Sequence, residues 1–555
     1  MSVILQSHRD DGAARVSREL SAAGLPVAAA AVVLTILLAC VYAPVMQVDF
    51  LYRDDNVYLT LPRGWNLTPI TLAQARPLMG VVIDCLNTSV VSGAGGKYVL
   101  PIVGLGLLAT SLFVWLVRHE VHVLTALPLS ISACCLPAFQ GAVPYLSVTV
   151  AMYAALSSSL AVHSWFAAGL RNAVARGCLS FALIFAALSA YQPAAMFGWA
   201  LLVVPLFVAK ECEWPLFRRR LLWFCLLFGS TMAVYAVAYK SLLYGLGMSM
   251  SGRSQAITID LLPDKFHWLA CTLMPHTIRS VVTPLLAGAI PPSSVIVLAA
   301  VLVAAGGLVA HVGCGSVAAC CRWSERIGWL GTFLLMAYLP FVILRENGAE
   351  PIYATGLQTA VLLVLFLGGR EIIRGIWHGM RASMAFGARA EYAVAAIVCL
   401  CMASSAGRTV LQEIVFPCHN RYRFIARTLA EGDLARIRHI YVVADDGFLG
   451  AYAEGLVRGV LNERCVGGPS PEVFAASRTA PPYVHLSADV AAQIYGKEFG
   501  DYYDFDSINH VHVLKPALTP AQRAAADDCF VRFLTAGQSS SDTLVIDLPA
   551  AVVSY

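Results

Sequence analysis

Asp54 and Asp55 stand side by side in Val48-Asp49-Phe50-Leu51-Tyr52-Arg53-Asp54-Asp55-Asn56, directly after the first long apolar run of the chain. Two neighbouring carboxylates repel when both are ionised, so one pKa of such a pair tends to rise unless a cation stands near. A carboxylate raised in that way is a better general base toward a sugar hydroxyl. The cation could be a divalent metal such as Mg or Mn on Asp54 and Asp55, or a basic side chain; Arg53, Arg63 and Arg76 are close in sequence. Tyr52, Tyr58 and Trp65 surround the pair, and sugars are commonly held by aromatic faces and carboxylates together. The plainer alternative is a helix end carrying polar residues in an interfacial loop.

The elements that position this loop are set by composition. Of 555 residues, 58% are hydrophobic and 13% charged, against about 25% charged in soluble domains. The apolar residues come in runs long enough to cross about 30 Å of hydrocarbon, and many runs end on Arg or Lys. The pattern predicts a polytopic α-helical membrane protein with about eleven transmembrane helices, near 25–46, 97–117, 120–137, 145–170, 177–193, 195–209, 221–243, 293–313, 327–344, 355–369 and 390–408. Residues 76–92 contain Asp84, Asn87 and Ser89 and fit a helix lying at the interface better than a span. The segment 269–290 is apolar enough to dip into the bilayer. The net charge of +4 comes without a basic block interleaved with aromatics, which argues against nucleic acid as a partner. Residues 1–24 read as a cytoplasmic tail and not as a cleaved signal peptide. Most of the 16 cysteines lie in apolar runs, where Cys acts as a small hydrophobe.

Threading the eleven spans with the N-terminus in the cytoplasm puts Arg118, Arg171, Arg176, Lys210, Arg218-Arg219-Arg220, Arg322, Arg326, Arg370 and Arg374 on the inner side. The opposite face receives Asp54-Asp55, Tyr191-Gln192-Pro193, the loop 244–292, Arg345 and everything after about 409. From 409 to 555 the charged residues return at soluble frequency. Ile437 to Ala444, Pro482 to Leu486, His510 to Leu514 and Thr543 to Leu548 read as strands, Phe448 to Leu461 and Pro520 to Leu534 as helices. They predict a small α/β domain on the outer face, with room for one disulfide among Cys418, Cys465 and Cys529. Asp445-Asp446 follows a strand but reads better as a solvated turn.

An acidic pair in the first outer loop, followed by an interfacial helix, resembles the membrane glycosyltransferases of the GT-C fold. More closely, the chain resembles the bacterial serotype-converting O-antigen glucosyltransferases (Gtr type II). The residues that carry the resemblance are Asp54-Asp55, Trp65, Ala75-Arg76-Pro77-Leu78, Pro144-Tyr145-Leu146-Ser147-Val148, Tyr191-Gln192-Pro193-Ala194 and Asn420-Arg421-Tyr422-Arg423-Phe424-Ile425-Ala426. Ala75 stands where that family has Gly, and Asn56-Val57-Tyr58 where it has an Arg. The resemblance implies a bacterial inner-membrane enzyme and a catalytic loop over 47–96. The donor it implies is a polyprenyl-phosphate-linked sugar, glucose foremost, and the acceptor a glycan or lipid-linked glycan on the periplasmic side. Transfer would be inverting, with an aspartate, Asp54 by analogy, as base. Charge develops on the departing phosphate, so a fixed cation helps there; Arg345, Arg76 and Lys240 are the candidates, in that order. Tyr52, Arg53, Trp65, Tyr191 and Gln192 are candidates for holding sugar or acceptor.

Glu350, Asp260, His267 and His276 are outer-face residues whose spacing supports no particular metal site. The competing function is a transporter or flippase of lipid-linked sugar. Transporters place polar sites at mid-membrane and show related halves. Here the span interiors are almost free of charge and no repeat recurs at fixed offset.

Overall fold

The computed structural model describes residues 27–47, 68–88, 98–145, 149–167, 173–248, 256–286, 291–312, 317–345, 347, 351–379, 384–431, 439–444, 457, 472–477, 503–506, 511–514, 519–522, 525 and 543–547. The chain packs as two units, one of 1–47 with 66–410, the other of 48–65 with 411–555.

The first unit is helical. Its main helices are α1 (Val27–Val41), α2 (Thr68–Ala73), α3 (Pro77–Thr88), α4 (Val99–Arg118), α5 (Val123–Cys134), α6 (Thr149–Phe166), α7 (Ala173–Ala190) and α8 (Gln192–Val208). Then come α9 (Trp214–Gly245), α10 (Met274–Val282), α11 (Ser293–Val312), α12 (Val317–Met336), α13 (Thr355–Gly379) and α14 (Met384–Thr409). A helix stands in each of the eleven segments where a span is expected. Among the described residues six are long and apolar enough to cross a membrane: Val99–Arg118, Ala173–Ala190, Trp214–Gly245, Ser293–Val312, Pro351–Trp377 and Gly387–Ala430. Val27–Val41, Val123–Cys134 and Gln192–Val208 are shorter apolar helices.

The long helices are apolar on faces that remain exposed among the described residues. Leu226, Val237, Leu298, Leu302 and Leu400 are each at least 60% exposed. A helix apolar all round that buries only one stripe needs hydrocarbon on the other, so the protein is membrane-embedded. Helix α3 has 12 described residues, a length of about 18 Å, and is not among the described helices long and apolar enough to cross about 30 Å of bilayer core.

Without a hydrophobic drive between helices in lipid, close backbone approach over small residues supplies the packing. Helices α11 and α13 meet at Gly307 and Gly368, where an added Cβ on Gly307 would fall 2.4 Å from the Gly368 Cα. The further contacts Gly306–Ile372 and Gly375–Ala310 show the two helices running parallel. Gly307→Ala should therefore lower stability by about 1–3 kcal/mol, because the obstacle is backbone and cannot rotate away. Gly331→Ala, with open space around its Cβ, is the control; thermal midpoints in detergent compare the two.

Two expected boundaries move. The segment given as a span at 327–344 begins instead at Val317 and breaks after Met336. Its first turns carry Arg322, Glu325 and Arg326, and Arg326 is buried, donating to the Leu206 and Ala209 carbonyls at 2.5 and 3.0 Å and stacking on Trp214 at 4.6 Å. A guanidinium on the orphan carbonyls of the α8 end is a stabilising placement that hydropathy alone does not show. The second change lies after 409. There the chain stays helical, through a π turn (Val410–Val415) and α15 (Phe416–Glu431). Pro417 lies inside this continuous helical run, directly after the π turn, the kind of irregularity that accompanies a proline in a helix interior.

In the second unit β1 (His439–Ala444) lies between β2 (Glu472–Ser477) and β5 (Thr543–Asp547), parallel to both. The near-continuous apolar run of β1 suits a strand flanked on both edges. β3 (Tyr503–Asp506) pairs antiparallel with β4 (Val511–Leu514). The segment 482–486 and most of 448–461 and of 520–534 lie outside the described residues, as do Asp445-Asp446, Cys465 and Cys529.

Candidate functional site

The turn that carries Arg76 is built by local rules. Helix α2 ends with the Ala75 N–H bonded to the Leu72 carbonyl at 3.0 Å and the Arg76 N–H to the Thr71 carbonyl at 2.8 Å. That is the Schellman pattern, and it puts Ala75 at φ +60. Pro77 then opens α3, its ring presetting the first helical turn. The two short helices lie back to back because Gly80 has no side chain: a Cβ there would sit 2.1 Å from Thr71 Oγ1. Asp84 completes the hairpin by accepting from the Thr68 N–H at 3.1 Å and Thr68 Oγ1 at 2.7 Å, which caps α2. Asp84 is thus engaged in holding the turn.

Alanine in the left-handed region costs roughly 1 kcal/mol that glycine would not. Ala75→Gly should therefore raise the stability by about 1 kcal/mol, read as a higher thermal midpoint; no change would show that the turn is held mainly by its neighbours. Those neighbours are specific. Tyr235 Oη donates to the Ala75 carbonyl at 2.6 Å, Gln192 Nε2 donates to the same oxygen, and Tyr239 Oη donates to the Ala73 carbonyl at 3.2 Å. Tyr235 and Tyr239 are one helical turn apart on α9, with rings stacked at 6.3 Å.

Between this turn and the helices lies a cavity of about 220 Å³. Gln74, Arg76, Gln192, Tyr235, Tyr239, Lys240 and Tyr353 supply its polar lining, and Pro340 to Leu344 close another side. The Arg76 guanidinium lies 4.6 Å over the Tyr191 ring. Its Nε is buried and has no hydrogen-bond partner among the described residues. The described lining holds two cations, Arg76 and Lys240, and no carboxylate. The wall near Leu344 is tied by the Ile257 N–H, which donates to the Ile343 carbonyl at 2.9 Å.

Arg76, Gln192 and Lys240, distant in sequence, thus meet in one cavity. Tyr191 is buried behind it, its ring a platform for Arg76. Gln192 spends its amide nitrogen on the Ala75 carbonyl and on Tyr235 Oη at 3.3 Å. Arg345 is exposed and outside the lining, next to Leu344, which is in it. His267, His276 and Asp260 are exposed. Tyr52, Arg53, Asp54, Asp55, Trp65 and Glu350 lie outside the described residues. Among the described residues no three His, Cys, Asp or Glu side chains group as metal ligands. Sequence reasoning did not single out Tyr235 and Tyr239. The signal was there in Tyr235-Ala236-Val237-Ala238-Tyr239-Lys240, two hydroxyls and an ammonium on one stretch of an otherwise apolar helix.

The chain matches no family model, no curated protein and no solved structure.

Proposed function

We propose that the protein is an inner-membrane glycosyltransferase that moves a sugar, glucose foremost, from a polyprenyl-phosphate donor to a periplasmic glycan such as O-antigen. The observation that carries the proposal is the cavity: two cations, three tyrosines and no carboxylate in its described lining, with a buried guanidinium Nε that has no acceptor among the described residues. Such a lining suits a phosphate next to a sugar. The cations stabilise charge that grows on the phosphate as it leaves. The aromatic rings give the sugar apolar faces to rest on. Asp54 or Asp55 acts as general base on the acceptor hydroxyl, which attacks the anomeric carbon with inversion, and polyprenyl phosphate departs. A divalent ion on that pair would hold the acceptor or the phosphate.

The fold we assign is GT-C-like, with about eleven spans, a cytoplasmic N-terminus and the chain beyond α15 as a periplasmic α/β domain. The parallel course of α11 and α13 supports it, since the eighth and tenth of eleven spans must cross in the same direction. The test is direct. Full-length protein in vesicles receives polyprenyl-phosphate sugar, radiolabelled in the sugar, and an O-antigen acceptor. The expected result is labelled acceptor and stoichiometric polyprenyl phosphate. Movement of intact donor between leaflets without release of polyprenyl phosphate would instead identify a flippase.

A further inference from the structure

Helices α13 and α14 and the segment 274–285 enclose a second, larger cavity of about 670 Å³, with no lining residue in common with the first. Most of its wall is apolar, including Leu285, Leu362, Phe366 and Val398. Ile373 and Val394 line it and are 40% and 43% exposed, so it opens sideways through the apolar surface of the helices. One end is different. Arg370, Arg374 and Glu391 stand there together, beside Trp377.

Arg370 is only 6% exposed. Its Nε and Nη2 donate to Glu371 at 2.9 and 2.8 Å. Its Nη1 is buried, has no hydrogen-bond partner among the described residues and lies 3.9 Å from Glu391 Oε1. Arg374 Nη2 donates to Glu391 Oε2 at 3.0 Å, and Thr125 Oγ1 donates to Glu391 Oε1 at 3.2 Å. A buried donor without a hydrogen bond costs about 1–3 kcal/mol, and Glu391 at 3.9 Å is an ion-pair partner too distant to supply one, so an acceptor oxygen is called for at Nη1. A purely anionic group would meet Glu391, and a purely cationic one would meet two guanidiniums. A headgroup that carries both charges complements both walls.

We propose that this cavity binds one diacyl phospholipid with a phosphoethanolamine headgroup. An acyl chain runs along Leu285, Leu362 and Phe366. The phosphate accepts from Arg370 Nη1 and faces Arg374, and the ammonium faces Glu391. Trp377 sits at headgroup level, where indoles concentrate in membrane proteins. The volume is in the range of about 300–1,000 Å³ typical of ligand sites.

The test exploits a gap in the wall. Gly369 lines the cavity, and a Cβ added there meets nothing within 4 Å. Gly369→Leu therefore fills the cavity without pressing on a packed neighbour. Full-length protein, purified in mild detergent and washed through repeated detergent exchange, is weighed by native mass spectrometry. The wild type should retain one phosphatidylethanolamine per chain, and Gly369→Leu should lose at least ten-fold in occupancy at an unchanged thermal midpoint. Stripped protein is then titrated with fluorescent phosphatidylethanolamine, phosphatidylglycerol and polyprenyl phosphate. Phosphatidylethanolamine should bind at least ten-fold tighter than the others, and Glu391→Gln should erase its advantage over phosphatidylglycerol. No retained lipid, equal retention in Gly369→Leu, an adventitious annular lipid only, or tighter binding of phosphatidylglycerol or polyprenyl phosphate would each overturn the proposal.

Discussion

Asp54→Asn and Asp55→Asn are expected to lower sugar transfer by about 10²–10⁴-fold in whichever position holds the base, with the protein still inserted at wild-type level. The substitution keeps side-chain size and hydrogen-bonding reach while removing the proton acceptor. Attack by a neutral hydroxyl on an anomeric carbon then lacks a group to take its proton. The two positions are expected to differ in kind. The base variant loses kcat with little change in KM for the acceptor. The other variant, which orients its neighbour or a cation, loses less. Because neighbours acting as one unit are not additive, the double variant should be close to the worse single one. Membrane-fraction abundance and labelled-sugar transfer, measured on the same preparations, decide the matter. Full activity in both single variants would remove the pair from the mechanism.

The helical membrane character was legible because hydrocarbon allows few alternatives. Runs such as Val295 to Ala305 have no polar residue, and backbone groups in such a run are satisfied only within a helix. Arginines were harder. Arg326 looked like a loop residue, yet it is buried in α12, because carbonyls at the end of α8 and the Trp214 face offset the cost of burying it. The same limit applied at the site. Arg76 and Lys240 each stood out as cations near an outer boundary, but nothing in the sequence states that a turn after α2 and the last turns of α9 share a cavity. That junction is made by hydroxyls of Tyr235 and Tyr239 reaching backbone carbonyls, contacts between residues some 160 apart. Ala75 was visible as a departure from a glycine-bearing pattern. Only the backbone shows what the departure means, a left-handed residue kept in place by three side chains around its turn.

Arg76→Gln is expected to cost about 10²–10³-fold in kcat, the scale of removing one fixed donor from a site of developing charge. Three observations set that size. The guanidinium is oriented before any substrate arrives, because it lies on the Tyr191 ring. Its Nε is buried without an acceptor among the described residues, so a phosphate oxygen would complete it. No carboxylate in the described lining competes for it. Arg76→Lys should recover only part of the loss, since an ammonium keeps the charge but neither stacks nor offers a planar fork. Lys240 is exposed on the cavity wall, so Lys240→Gln should act mainly on KM for the donor, as removal of a cation that attracts phosphate equally before and during transfer. Tyr191→Leu should reproduce a weak form of the Arg76 defect, about five-fold in kcat for about 1 kcal/mol of lost cation–π contact. The split between kcat and KM separates catalysis from architecture. If Arg76→Gln lowers the thermal midpoint but leaves kcat intact, the guanidinium serves only to hold the turn, and the phosphate must be met elsewhere, with Arg345 the next cation to test.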